Sequence, residues 1–384
     1  MTHEAKPHRL LIEGPMLKDS STEWRNHALA RLVPHSEIFD SAGACLHSNR
    51  LWNVLGHRLY LTPANLQCNV RFWKRVAAFQ PNLVWIDKGR WLWPWTLAKL
   101  RKTGARLVHH STDDLFAFGS YLWLHRLGLR RSDLYLTTNR FNVSEIQSRY
   151  GLTCIRAGMG YDELSHRPPP GEPVVAADCD RDVVFVGHWE SHTEDRLAAL
   201  AEAGVDVKVW GHNWKRARRE QFRSVQPLPI EDYVATLRTA KLAFCSLSQM
   251  NRNESTGRSF QIPALGACLF AERTDEHAFL YEDGVEAILF DDEQQMVEKA
   301  RYYCRNLAQR NAIIEAGHRR CVGLGLSWQR HMAREWLFIE RWYEHGSFVP
   351  DGSDDLPFWP GYRAGQPARS TRASVRRSPA VSEA

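Results

Sequence analysis

The chain has no C-x-x-C pair, no H-E-x-x-H, no G-x-S-x-G and no Walker-type loop. Metalloprotease, serine-hydrolase and P-loop chemistry therefore have no support. Its eight cysteines, at 45, 68, 154, 179, 245, 268, 304 and 321, are scattered, and Cys245 and Cys268 sit in apolar runs where a thiol packs as a small hydrophobe. Neither a disulfide framework nor a structural zinc is expected. No stretch of about 18 uncharged apolar residues occurs, and MTHEAKPHRLLIEG lacks the basic-then-apolar order of a secretory signal. The expectation is a cytoplasmic protein without a membrane span. A strong charge of one sign is also missing: the formal net charge is +6 over 384 residues, spread along the chain and without zinc-finger or RNA-binding spacing. Nucleic acid is not an expected partner, whereas a small anion or an anionic membrane surface is compatible with this balance. Tryptophan is what the chain has in quantity, 15 in all. Trp85, Trp91, Trp93 and Trp95 fall together, for core packing or for stacking on a sugar or base.

At this length, with 43% apolar residues, two hydrophobic cores are expected. RLLIEG, SEIFD, NLVWID, ARLVHHS, SDLYLTT and CIRAGM read as strands separated by helical stretches such as STEWRNHALARL and PWTLAKLRKTG. Strand-helix alternation of this kind predicts a parallel, doubly wound α/β domain over 1–165. The proline-rich run HRPPPGEPVVAADCDR predicts an exposed linker over 166–181. Alternation resumes with DVVFVG, VDVKVWG, LAFCSL, CLFAE and YEDGVEAILF, predicting a second doubly wound domain over 182–327. The helix expected at 328–345 is long enough to pack back on the first domain. Residues 346–384, rich in Arg, Ser, Pro and Ala, cannot build a core and are expected to be disordered. The five arginines of that tail allow a peripheral membrane contact, though such arginines more often serve only solvation.

Open parallel sheets bind ligands at the carboxyl ends of their strands, so those ends hold the candidate residues. In VVFVGHWESHTEDRLAAL a strand runs into Gly187 and His188 and a helix follows, so backbone N–H groups there can face an anion while Gly187 permits close approach. In NRNESTGRSFQIPALG, Arg252 and Arg258 flank a loop leading into a helix, which suits a diphosphate or a solvated helix start. Trp210 and Gly211 end VDVKVWG and border a base or ribose on the functional reading, with Trp210 a core residue on the other. Across the cleft, Lys88 and Gly89 end one strand, and His110, Asp113 and Asp114 follow the next. A carboxylate or imidazole here orients or deprotonates an acceptor hydroxyl. The structural alternative has Asp113 capping a helix and pairing with Lys88, and His109 is expected to be packed. The D-x-D spacing in DCDRD (178–182) precedes a strand, the wrong end for a metal site, and no metal is expected.

The segments KGRWLWPWTLAKLRKTGARLVHHSTDD, DVVFVGHWESHTEDRLAAL, VWGHNW and GRSFQIPALGACLFAERTDEHAFLYEDGVEAILF, in this order, resemble the CgeB-type glycosyltransferase-like proteins, relatives of GT-B enzymes. The resemblance covers roughly residues 80–325. It implies two Rossmann-like domains facing a cleft and a nucleoside-diphosphate sugar donor held mainly by the second. It also implies an unknown glycan, protein or small-molecule acceptor hydroxyl on the first, retaining chemistry, and no metal or other cofactor. By this likeness Gly187, Arg252 and Arg258 meet the diphosphate. Where the family reads F-E-I-P-A, this chain has Phe260-Gln261-Ile262-Pro263-Ala264, and the likeness gives that carboxylate the donor ribose. Gln261 still accepts a hydrogen bond but without charge assistance, a loss of about 1–2 kcal/mol. This departure leaves open a non-catalytic nucleotide- or glycan-binding relative, or an enzyme that epimerises or hydrolyses a sugar nucleotide.

Overall fold

The computed structural model describes residues 8–45, 62–117, 123–176 and 179–345. The tail expected beyond 346 lies outside them. Six strands form the first sheet: β1 (Leu10–Gly14), β2 (Ser36–Asp40), β3 (Leu83–Asp87), β4 (Arg106–Ser111), β5 (Leu134–Thr137) and β6 (Thr153–Arg156). Their order is β2-β1-β3-β4-β5-β6, and every pairing is parallel. The second sheet comprises β7 (Arg181–Val186), β8 (Val207–Trp210), β9 (Ala240–Cys245), β10 (Leu269–Glu272) and β11 (Ile288–Phe290), ordered β11-β10-β9-β7-β8 and again parallel. Helices cover both faces of such sheets, which is why strands such as LLIEG and LVWID read as unbroken apolar runs and are buried throughout.

Local chemistry sets the helix ends. Ser20 accepts a hydrogen bond from the Glu23 N–H at 3.2 Å and starts the helix Ser21–Leu32, and the Asn139 side chain accepts from the N–H groups of Phe141 and Asn142 to start Arg140–Tyr150. Pro94 occupies the first turn of Pro94–Arg101. One expected strand is shorter than its sequence suggests. Within YEDGVEAILF only Ile288–Phe290 is extended, because Gly284 at φ 74° turns the chain and the Glu282 carbonyl accepts from the Glu286 N–H at 2.8 Å. Between the sheets, the buried Arg238 donates to the carbonyls of Pro173 and Val174, at 2.8 and 2.9 Å, and so pins the proline-rich connection to the second domain. Asp182 of the DCDRD run pairs with Lys241 at 2.7 Å, and Asp178 is outside the described residues.

The helix Trp328–His345 returns to the first sheet. It buries Trp328, Met332, Trp336, Ile339 and Trp342 in a cluster shared with Leu29 of the first helix, each worth about 1.5–3 kcal/mol of burial. Beneath it lies a buried polar group. Arg25 and Asp87, both fully buried, pair through Nε and Oδ2 at 2.8 Å, and the Arg25 guanidinium lies 4.8 Å from the centre of the Trp328 ring. Glu13 and Glu335 are fully buried beside this pair. Burial pushes both carboxyls up, to about 8, with Arg25 only partly offsetting this for Glu335. A group whose folded pKa exceeds its unfolded value stabilises fully below the unfolded pKa and loses that contribution as pH rises through the folded one. Stability should therefore decline between about pH 4.5 and 8, and Glu335→Gln should flatten this decline. Urea midpoints at pH 5, 7 and 8.5 for the wild type and the variant check it.

Candidate functional site

The carboxyl ends of the two sheets face each other. The loop after β9 reaches across to the loops after β4 and β5: the Asn251 side chain accepts from the Asp114 N–H at 3.1 Å, and Asn253 donates to the Thr112 carbonyl at 3.2 Å. On the second-domain side, a cavity of about 230 Å³ opens between the end of β7 and the helix Gly257–Ala264. Its walls include His188, Glu190, Thr193, Ser246, Ser248 and Arg258, over a floor of Phe185.

Two glycines shape its rim. The Gly187 N–H donates to the Trp210 carbonyl at 2.9 Å, holding β7 and β8 together to their ends. A Cβ at Gly187 would stand 2.5 Å from Nη1 of Arg258, and one at Gly211, whose φ is 149°, would overlap the Gly187 carbonyl oxygen. Glycine at both places is thus what lets the two strand ends and the arginine meet. Just beyond, the helix Ser191–Glu202 begins without a side-chain cap, because its N-cap residue Glu190 accepts from the Gln249 N–H at 3.0 Å. Its first turn opens toward the cavity at Thr193, whose hydroxyl is 2.8 Å from that of Ser246.

Arg258 is held like a tool in a rack. Nη1 donates to the Val186 carbonyl at 3.1 Å and Nη2 to the Ser246 carbonyl at 2.7 Å, and the guanidinium lies 5.1 Å from the Phe185 ring centre. Among the described residues no carboxylate pairs with it. A fixed cation without an ion-pair partner, beside a helix start that lacks a side-chain cap, is chemically suited to an anion, with the Glu190 carboxylate on the same wall acting against it. His188 also lines the cavity, its ring 5.5 Å from that of His212, and burial followed by the charges of His212 and Arg258 lowers its pKa, so it is neutral near pH 7. One turn along from Arg258, Gln261 accepts from the Tyr233 hydroxyl at 2.8 Å. An amide carbonyl has two lone pairs, so one acceptor position remains after that bond.

Other expected residues are placed elsewhere. Trp210 lies under the Arg181 guanidinium, 5.3 Å from its ring centre, and packs on the core without lining the cavity. Arg252 does not join Arg258. It crosses to the first domain, where Nε meets Asp114 at 2.5 Å and Nη2 meets Glu145 at 2.7 Å, so its charge is taken by two carboxylates. Asp114, with no side-chain exposure, also accepts from Asn142 at 2.7 Å and is a fastening between domains. Asp113 sits between Lys88 at 3.4 Å and Arg90 at 2.9 Å. Burial acts to raise its pKa, and these two cations more than offset that. His110 is corrected outright as a cleft residue: it is fully buried, stacked 5.1 Å from Trp85, with its Nδ1 3.9 Å from Asp87. Burial drives its pKa down to about 4, so it stays neutral. His109 is packed as expected, 5.0 Å from Tyr135 on the other face of the strand. Lys88 and Gly89 turn the chain sharply, with φ of 65° and 57°, and a Cβ at Gly89 would come 2.6 Å from Ile86 Cγ2.

The sequence reading passed over Thr193, Ser246 and Ser248. Ser246 directly follows β9 in LAFCSLS, a strand end that carries the same positional signal as Gly187. It also passed over Glu145, whose partnership with Arg252 spans 107 residues of chain and leaves no local trace. Arg252→Ala should lower stability by about 1–3 kcal/mol, since the arginine is 43% exposed but its partner Asp114 has no side-chain exposure and would be left a buried carboxylate without its cation. Nucleotide affinity should change no more than a few-fold, which titration calorimetry against Arg258→Ala would check.

Comparison with known proteins bears on this arrangement. Residues 192–337 match the model of a family described as glycosyl transferase-like. No curated protein matches the sequence. Among solved structures, sucrose-phosphate synthase of Thermosynechococcus elongatus is similar with a TM-score of 0.62 and 11% identity, over 87% of this chain and 99% of that one. HepE of Anabaena, solved in complex with UDP-glucose, gives 0.59 and 11% over 87% and 100%. A trehalose-6-phosphate synthase studied for glycosyl transfer with retention gives 0.55 and 12% over 89% and 100%. The architecture is GT-B, two parallel-sheet α/β domains. Among the described residues no helix is long and apolar enough to cross a membrane.

Proposed function

We propose that this protein is a glycosyltransferase that moves a sugar from a nucleoside-diphosphate donor, and that it seats the diphosphate in the cavity between Gly187 and Arg258. The observation that carries the reading is Arg258 itself, a guanidinium locked on two carbonyls, without an ion-pair partner among the described residues, and lining one cavity with the start of the helix Ser191–Glu202. As the bond from the anomeric carbon to the diphosphate oxygen breaks, negative charge gathers on that oxygen. Arg258, the first-turn amides and the Thr193 and Ser248 hydroxyls stabilise it in place, work that elsewhere falls to a divalent metal. Gln261 offers its remaining acceptor position to a donor hydroxyl.

The acceptor hydroxyl forms the new bond at the anomeric carbon and must lose a proton. Asp113 and Asp114 are both engaged by cations and His110 is buried, so the departing phosphate oxygen is the group best placed to take it. A proton passed to the leaving group requires attack from the same side, which is retention, the outcome examined for trehalose-6-phosphate synthase. The narrower CgeB-type kinship rests chiefly on the 258–276 block. Lys88, Gly89 and Arg90 lie on the acceptor side of this cleft.

A thermal-shift panel of UDP, GDP, ADP, TDP and CDP without added metal tests the donor site. Ligand at about 100 times its dissociation constant stabilises by about 2.7 kcal/mol. One nucleotide should raise the melting temperature in the wild type and fail to do so in Arg258→Ala; no response to any of the five would remove the assignment. Binding without sugar transfer to any acceptor would instead favour the reading of a nucleotide-binding relative, for which the capped Gln261 is the motivating feature.

A further inference from the structure

Between residues 62 and 112 the sequence holds nine Lys and Arg and a single acidic residue, Asp87, which is fully buried on Arg25. This one-sided segment forms two neighbouring helices on the outside of the first domain, Pro63–Phe79 and Pro94–Arg101. They lie side by side: the Asn69 side chain donates to the Trp91 carbonyl at 2.8 Å and accepts from the Trp93 N–H at 2.9 Å, and Lys99 Nζ stands 3.7 Å from the centre of the Trp73 ring. On their outer surface Leu66 is 53% exposed, Val70 46% and Trp95 51%, and Arg71, Lys74 and Lys99 are exposed around them. Leu66, Val70 and Lys74 follow at i, i+4 and i+8, along one outward stripe.

Most other cations of the segment have local partners, and Lys102 at the end of the second helix has no ion pair among the described residues. Arg75 pairs with Glu37 at 3.1 Å, Arg101 with Asp133 at 2.5 Å, and Lys88 and Arg90 with Asp113. Arg71, Lys74 and Lys99 have no ion-pair partner among the described residues. Exposed apolar side chains, one of them tryptophan, framed by unpaired cations and with no unpaired carboxylate on either helix, match the interface of an anionic bilayer: rings and aliphatic chains enter the headgroup layer while the cations meet lipid phosphates. A solvated surface helix would instead carry acids interspersed with its bases.

We propose that this face of the first domain docks on an anionic lipid surface. Docking there would bring a membrane-borne acceptor to the first domain, a consequence that rests on the transferase reading; the docking itself does not. The test is co-sedimentation of the full chain with vesicles of phosphatidylcholine alone and with 30% phosphatidylglycerol, at low and high salt. Binding is expected only with phosphatidylglycerol, weakened by salt. Each cation near such a surface contributes about fivefold in affinity, so Lys74→Glu combined with Lys99→Glu should weaken binding more than ~20-fold. Arg71→Glu with Lys74→Glu, which spares the Lys99–Trp73 contact, should do likewise, and Leu66→Ser with Trp95→Ser should weaken it several-fold while the circular dichroism of the folded chain is retained. Arg258→Ala should bind vesicles as the wild type does, which separates this surface from the donor site. Three outcomes overturn the proposal: no sedimentation with either vesicle, equal sedimentation with both, or undiminished binding of the charge-reversed variants, which would assign docking elsewhere in the chain.

Discussion

Gly211→Ala should destabilise the protein by about 2–6 kcal/mol, the sum of forcing an L-residue into a sparsely allowed backbone region and of overpacking a closed contact. Gly211 holds φ at 149°, and the added methyl would overlap the carbonyl oxygen of Gly187. Neither strand end can yield cheaply: Gly187 N–H is bonded to the Trp210 carbonyl at 2.9 Å, and Gly211 N–H to the Gln226 carbonyl at 3.0 Å. The Gly187 carbonyl also accepts from the indole of the buried Trp214 at 3.0 Å, so moving it breaks a second bond. Gly104→Ala supplies the control, since Gly104 also has positive φ, 86°, but a Cβ there meets nothing within 4 Å. Urea denaturation of the two variants separates strain from clash. Equal midpoints would mean that the two strand ends are not in the close contact described.

Arg258→Ala should reduce kcat by about 10²–10³, the usual cost of removing one fixed donor to a charge that develops in the transition state. Arg258 also has a packing role. Its two hydrogen bonds go to main-chain carbonyls, and its ring contact is to Phe185, so the substitution also loosens the end of β7. Loss of two neutral acceptor bonds should cost about 1–3 kcal/mol of stability. Arg258→Lys resolves the two effects: lysine keeps the charge without the planar fork, so it should recover part of the nucleotide affinity while leaving one carbonyl unserved. Turnover is read from release of the nucleoside diphosphate once the panel has named it. A variant that melts early yet turns over at the wild-type rate would make Arg258 a packing residue.

The alternation of the two sheets was legible because parallel strands buried on both faces leave uninterrupted apolar runs, and because prolines and glycines mark the ends of the helices. LVWID, VVFV and LAFC are such runs, and Pro94 and Gly104 are such marks. The strand-end rule also located the cleft, and it brought Gly187, His188, Gly211 and Arg258 together. What it could not provide was orientation. His110 sits at a strand end, yet strand alternation turns its ring into the layer beneath the return helix, where Trp85 and Asp87 enclose it. Arg252 and Arg258 look equivalent in NRNESTGR, but six residues of loop and helix start send one to Asp114 and the other to the cavity. Pairing of this kind depends on which domain surface faces the loop, and that is a property of tertiary structure.

One loop serves both halves of the molecule. Ser246, Leu247 and Ser248 wall the cavity, and within a few residues Asn251, Arg252 and Asn253 grip the first domain at Asp114, Glu145, Thr112 and Asn139. The return helix Trp328–His345, contributed by the end of the chain, packs on the first helix. A recombinant hybrid that exchanges the donor half of this protein for that of a relative therefore has no clean seam at the proline-rich connection. To keep its grafted specificity and its fold, the hybrid must retain residues 328–345 with the first half, and must match the 249–254 loop to the carboxylates and amides that receive it.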